Sequence, residues 1–201
     1  MIRIGVTGGI GSGKSTVCRI MEECGAAVYD SDANAKRLMA EDAEVRRQLA
    51  SEFGDETFAG GTLNRSYLAS VVFADGERLQ RLNAIVHPAV RADFRRWCSE
   101  RTEDLVVLES AILFESGFDS EVDRVVAVVA PGELRIERVM LRNGVTREEV
   151  ERRMAAQMSD DELHARADHT IANISLDYLR SDVEQLCKIL RYESRVADIR
   201  H

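Results

Sequence analysis

The chain has 201 residues, of which 45% are hydrophobic and 31% charged, and a formal net charge of −8. That balance supports a buried core in one globular unit, with room for inserted subdomains, and excludes a disordered chain. The acidic excess excludes a generic nucleic-acid binder, which needs a basic face, and no apolar run approaches a membrane span.

The first expected strand, Arg3–Thr7, runs straight into GGIGSGKST at residues 8–16. The spacing Gly8-x-x-x-x-Gly13-Lys14-Ser15 fits a phosphate-binding loop. Glycines let the backbone bend with its N–H groups turned inward. Lys14 can reach the outer phosphates of a nucleoside triphosphate, and Ser15 can offer a hydroxyl to Mg²⁺. Val17, Ile20, Met21 and Cys24 then recur at helical spacing, with Gly25 as a natural stop. The positive end of that helix would point at the phosphates.

A second strand, Ala26–Tyr29, leads into DSDANAKRLM. Asp30 and Asp32 are two apart, so in extended chain they share a face. One carboxylate here could take the proton of an attacking hydroxyl. Equally, Asp32 could only cap the following helix, and Asp30 could act on Mg²⁺ through water. Residues 33–98 read as mostly helical. Within them, Pro88 suits the first turn of a helix, which makes His87 a helix-start residue, either a structural hydrogen-bonder or a functional group.

LVVLE (Leu105–Glu109) and RVVAVVA (Arg124–Ala130) are nearly continuous apolar runs, as buried parallel strands should be. A fifth strand is expected at Thr170–Ala172. Strands alternating with helices predict a doubly wound parallel α/β sheet. The charged interval 131–160 carries Arg135, Arg138 and Arg142 on one helical stripe. Such a stripe could neutralise a triphosphate or could be a solvated face paired with Glu133 and Glu137. Arg147, Arg152 and Arg153 alternate with glutamates, as surface ion pairs do. A phosphoryl-transfer core with a helical insertion and a charged flap suggests a kinase.

Cys18, Cys24, Cys98 and Cys187 show no metal-ligand spacing, so reduced core thiols in the cytoplasm are expected. The immediate start of the first strand predicts no signal peptide.

Several segments together resemble the dephospho-coenzyme A kinase family: IGVTGGIGSGKST, VYDSDANAKRL, LNRSYLASVVF with Arg65, Leu68 and Phe73, LNAIVHPAV with His87 and Pro88, AILFE, the flap arginines through Gln157, and ADHTIAN ending at Asn173. Ala111 departs from the family's usual proline. The resemblance implies a P-loop kinase with a five-stranded parallel sheet: a core of residues 1–32, 99–130 and 161–201, a helical coenzyme-binding insertion at 33–98 and a lid at 131–160. It implies transfer of the γ-phosphoryl group of ATP, with Mg²⁺, to the ribose 3′-hydroxyl of dephospho-coenzyme A. ATP would be held by Gly9, Ile10, Gly11, Ser12, Gly13, Lys14, Ser15 and Thr16, with Arg138 against the adenine and Asn173 nearby. Ser15 would be the metal contact. Asp32 would be the base, Lys14 and Arg142 would act on the phosphates, and Arg65 and His87 would lie on the acceptor side with Asp32. The implied protein is cytoplasmic and monomeric, with no nucleic-acid or membrane partner.

Other classes remain in view at this point. A kinase for another small molecule would differ only in the insertion. A GTPase switch would need an Asn-Lys-x-Asp guanine reader and an Asp-x-x-Gly after the third strand, where this chain has LESAILFE. A noncatalytic nucleotide-binding module would not need Lys14, Ser15 and Asp32 intact.

Overall fold

The computed structural model describes residues 1–73 and 75–199; the side chains of Phe73 and of residues 196–199 lie outside the description. The chain divides into two compact units, Met1–Tyr29 with the chain from Arg101 onward, and Asp30–Glu100.

The first unit begins with β1 (Ile2–Thr7), α1 (Lys14–Glu23) and β2 (Ala27–Asp30), whose last residue belongs to the second unit. α1 ends as its sequence demands. Gly25 takes φ 88°, its N–H bonds the Glu22 carbonyl at 2.8 Å, and the Ala26 N–H reaches back to Met21 at 2.9 Å. A left-handed residue in that position closes the helix's free carbonyls, and only glycine adopts it without strain.

The second unit carries α2 (Ser31–Glu41), α3 (Ala43–Phe53), α4 (Arg65–Phe73) and α5 (Gly76–Ser99). Val45, Leu49 and Phe53 recur at i, i+4 and i+8 along α3 and pack on Leu68 and Val72 of α4. Two expectations fail here. The strand ends at Asp30 and the chain turns helical at Ser31, so Asp30 and Asp32 do not share a strand face. The α2 cap is Asp30, whose Oδ1 accepts the Ala33 N–H at 2.9 Å, and Asp32 stands in the first helical turn. Nor does Pro88 begin a helix. α5 starts twelve residues earlier behind Asp75, whose carboxylate accepts the Glu77 N–H, and Pro88 lies inside it. Proline has no N–H to give the carbonyl one turn back. The buried stripe Val86, Val90, Phe94 and Cys98 carries the helix through that gap.

The chain returns to the first unit through β3 (Leu105–Glu109), β4 (Arg124–Val129), α6 (Gly132–Asn143), α7 (Arg147–Ala155), α8 (Asp160–Arg166), β5 (His169–Ala172) and α9 (Leu176–Ile199). All five strands lie in one parallel sheet, ordered β2-β3-β1-β4-β5, each within a residue of its expected span. Every residue from Leu105 to Leu108 is fully buried. A strand buried on both faces needs no polar alternation, and the sequence of β3 shows none. The core gathers Ile4 and Val6 of β1, Val17 and Met21 of α1, and Leu179 and Val183 of α9. β1 sits mid-sheet, in register with β3 (Val6 beside Glu109) and β4 (Thr7 beside Ala127). The carboxyl end of such a strand, where the winding reverses, is where open α/β sheets bind ligands. Among the described residues no helix is long and apolar enough to cross a membrane.

Candidate active site

The loop from Gly8 to Gly13 leaves β1 at that edge and delivers the amino terminus of α1. Gly11 and Gly13 hold φ of 78° and 94°, the left-handed region that other residues enter at a cost. Space is equally restrictive. A Cβ on Gly13 would strike Asn173 Nδ2, and one on Gly9 would strike the Arg135 guanidinium. The glycines therefore let Arg135 and Asn173 pack directly against the loop backbone. The first N–H groups of α1 have no partners within the helix, and they point the same way as its dipole.

Lys14 opens α1 and folds its ammonium back over the loop, donating to the carbonyls of Gly8 (2.6 Å) and Gly9 (3.3 Å). Ser15 stands exposed beside it. Two hydroxyls below the loop, Thr7 Oγ1 and Ser12 Oγ, are buried without a hydrogen-bond partner. Glu109, at the end of β3, raises the Cys18 thiol pKa after burial itself, with Lys14 opposing, so its carboxylate stands beside the first turns of α1. Hydroxyls, a lysine and a carboxylate around a bare amide cradle fit a polyphosphate carrying Mg²⁺. Sequence reading did not single out Glu109; its place beside β1 follows only from the strand register.

Asn173 closes the loop from the far end of β5. Its backbone N–H bonds Val129, and its buried side chain donates to the Ser12 carbonyl at 2.8 Å. Arg138 donates to both its carbonyl (3.2 Å) and its Oδ1 (3.4 Å). The arginine stripe is thus graded. Arg135 is 5% exposed and bonded to Ile10 and Asp160, Arg138 is half-buried on Asn173, and Arg142 is exposed, donating to its neighbour Asn143 at 3.0 Å. Neither expectation for the stripe holds throughout. Glu133 pairs instead with Arg147, at 2.7 Å. Arg153 does pair with Glu149, at 2.6 Å, on the surface.

In the second unit, Asp32 is exposed in the first turn of α2, and Arg65 is exposed as the first residue of α4. His87 lies half-buried in mid-α5. Burial, followed by the charge of Arg91, holds its imidazole below the ordinary histidine range, so it is neutral at pH 7.

A glycine-rich loop of this shape at a helix amino terminus suits phosphates, and it defines a P-loop protein of the α/β phosphotransferase type. The sequence model of the dephospho-CoA kinase family matches residues 2–177. The dephospho-CoA kinase of Porphyromonas gingivalis is 44% identical over 192 residues, covering 95% of each chain. That of Salinibacter ruber is 48% identical over 178 residues, 86% of this chain and 89% of its own. A crystal structure from Thermus thermophilus, 40% identical, superposes with a TM-score of 0.82 over 94% of this chain and 96% of its own. The chain belongs to the dephospho-CoA kinase family.

Proposed function

We propose that the chain transfers the γ-phosphoryl group of ATP to the ribose 3′-hydroxyl of dephospho-coenzyme A, releasing coenzyme A and ADP in the last step of coenzyme A biosynthesis. Family membership carries this reading, and the intact loop supports it. In the proposed division of labour, residues 1–32, 99–130 and 161–201 form the nucleotide core. Residues 33–98 seat the acceptor, and residues 131–160 form the lid.

The amides of Gly9 and of Gly11 to Thr16 and the Lys14 ammonium hold the phosphates; the Ile10 amide, which donates to Gln157, does not. Ser15 holds Mg²⁺, which supplies positive charge to the transferring group. Arg138, fixed by Asn173, lies against the adenine. Arg142 is the one arginine of the stripe whose fork is not committed to the loop or to Asn173, and it neutralises the phosphates from the lid. Asp32 takes the proton of the acceptor hydroxyl. Arg65 and neutral His87 bind the acceptor, His87 by hydrogen bonding. The protein acts as a cytoplasmic monomer.

ADP release is the direct test. Wild-type protein with Mg²⁺ and ATP should release ADP quickly only when dephospho-coenzyme A is present. Turnover instead with a nucleoside monophosphate or a sugar would overturn the acceptor assignment. Arg142→Lys keeps the charge but loses the planar fork. It should slow the single-turnover rate by about tenfold or more, toward the usual cost of losing one such donor. An unchanged single-turnover rate would make Arg142 a solvated surface residue.

A further inference from the structure

Ile10 stands at the crest of the loop, and the 131–160 segment holds it three ways. Its N–H donates to Gln157 Oε1 at 2.7 Å. Its carbonyl accepts from Arg135 Nε at 2.9 Å. Its side chain packs into the apolar cluster of Ile136, Val139 and Val150. Arg135 is itself fixed by Asp160, at 2.8 Å, at the start of α8. The same guanidinium lies where Gly9 would carry a side chain, and the Arg135 carbonyl lies 2.6 Å from where a Cβ on Gly11 would stand.

We propose that Arg135 and Gln157 are positioning residues that set the shape of the phosphate loop through Ile10. This rests on the reading of the loop as the ATP site. A glycine-rich loop loses much conformational freedom when it is ordered, and a ligand that must order its own site binds more weakly. Pinning Ile10 on both sides meets that cost before the nucleotide arrives. It also spends the Ile10 amide on Gln157, which leaves phosphate binding to the remaining amides of the loop and of the first α1 turn. The base of the lid is by the same contacts joined to the loop, so α6 is not a flap hinged at its amino terminus. Arg142, nearly two turns beyond Arg135, lies past the pinned part.

Removing one pin should therefore weaken nucleotide binding and leave the chemical step alone. Gln157→Met keeps the length and loses the acceptor. Its dissociation constant for Mg-ATP, by calorimetric titration, should rise about tenfold, the scale of one hydrogen bond. KM for ATP should rise in step, while kcat and KM for dephospho-coenzyme A stay within about twofold and thermal unfolding barely moves. Ile10→Ala, which trims the apolar plug, should act in the same direction and serves if the first variant folds poorly. An ATP dissociation constant unchanged in both variants would overturn the proposal. So would an equal loss for ATP and acceptor accompanied by a large drop in unfolding temperature. Failure of the ATP reading itself looks different, because wild-type protein would then bind no Mg-ATP.

Discussion

Lys14→Ala should fold normally and lose roughly 10² to 10³ in kcat, the usual cost of removing one preorganised charge from a site where negative charge shifts during reaction. The fold is spared because the lysine supports little of it. Its ammonium rests on two loop carbonyls, Gly8 and Gly9, that water can satisfy. The loop has other holds: Asn173 on Ser12, Arg135 and Gln157 on Ile10. Alanine is also the better helix former at the start of α1. Function is not spared, because Lys14 lies over the loop and donates to the Gly8 and Gly9 carbonyls. Those carbonyls are weak partners beside a phosphate oxygen. Lys14→Arg should restore little, since a planar fork on a longer stem cannot occupy the place of a compact ammonium. Steady-state turnover with an unfolding curve on the same sample decides the matter. A folded Lys14→Ala protein with near-normal kcat would remove the loop from the chemistry.

The sheet was legible because its signals are local. Leu105–Glu109 and Arg124–Val129 are apolar without alternation, and only strands covered on both faces need that. The loop was legible because glycines at fixed spacing before a lysine have few other uses. What stayed hidden depended on neighbours distant in sequence. Periodicity placed Arg135, Arg138 and Arg142 on one stripe, but it could not show that Asp160 and Ile10 hold the first in a buried place while the last is exposed beside Asn143. Asn173 reaches a carbonyl 161 residues away. Pro88 misled because proline's preference for a first turn is a local rule, whereas the buried stripe of α5 spans more than three turns and outweighs it. The cap of α2 misled for a smaller reason. Asp30 and Asp32 are chemically equivalent as caps, and where the helix begins decides between them.

That correction sharpens the last prediction, on Asp32. Since Asp30 caps α2 and Asp32 does not, the structural and chemical duties fall on separate carboxylates two residues apart. Asp30→Ala should cost about 1 kcal/mol of stability, as loss of a cap does, and Asp30→Asn almost nothing, since asparagine caps as well. Both should keep most of their turnover, and neither should change its Mg²⁺ dependence if capping is all that Asp30 does. Asp32→Asn should be the reverse. Its side chain is exposed and makes no cap bond, so unfolding should shift by a few tenths of a kcal/mol at most. Turnover should fall by roughly 10² to 10⁴, the worth of a general base, because an amide cannot accept the proton of the ribose hydroxyl. Binding of Mg-ATP should survive, since the loop amides and Lys14 are untouched. The measurement is phosphoryl transfer to dephospho-coenzyme A at saturating Mg²⁺ for all three variants, with calorimetric unfolding alongside. A fully active Asp32→Asn protein would end the base assignment, and with the cap already taken by Asp30 it would leave Asp32 an ordinary surface carboxylate.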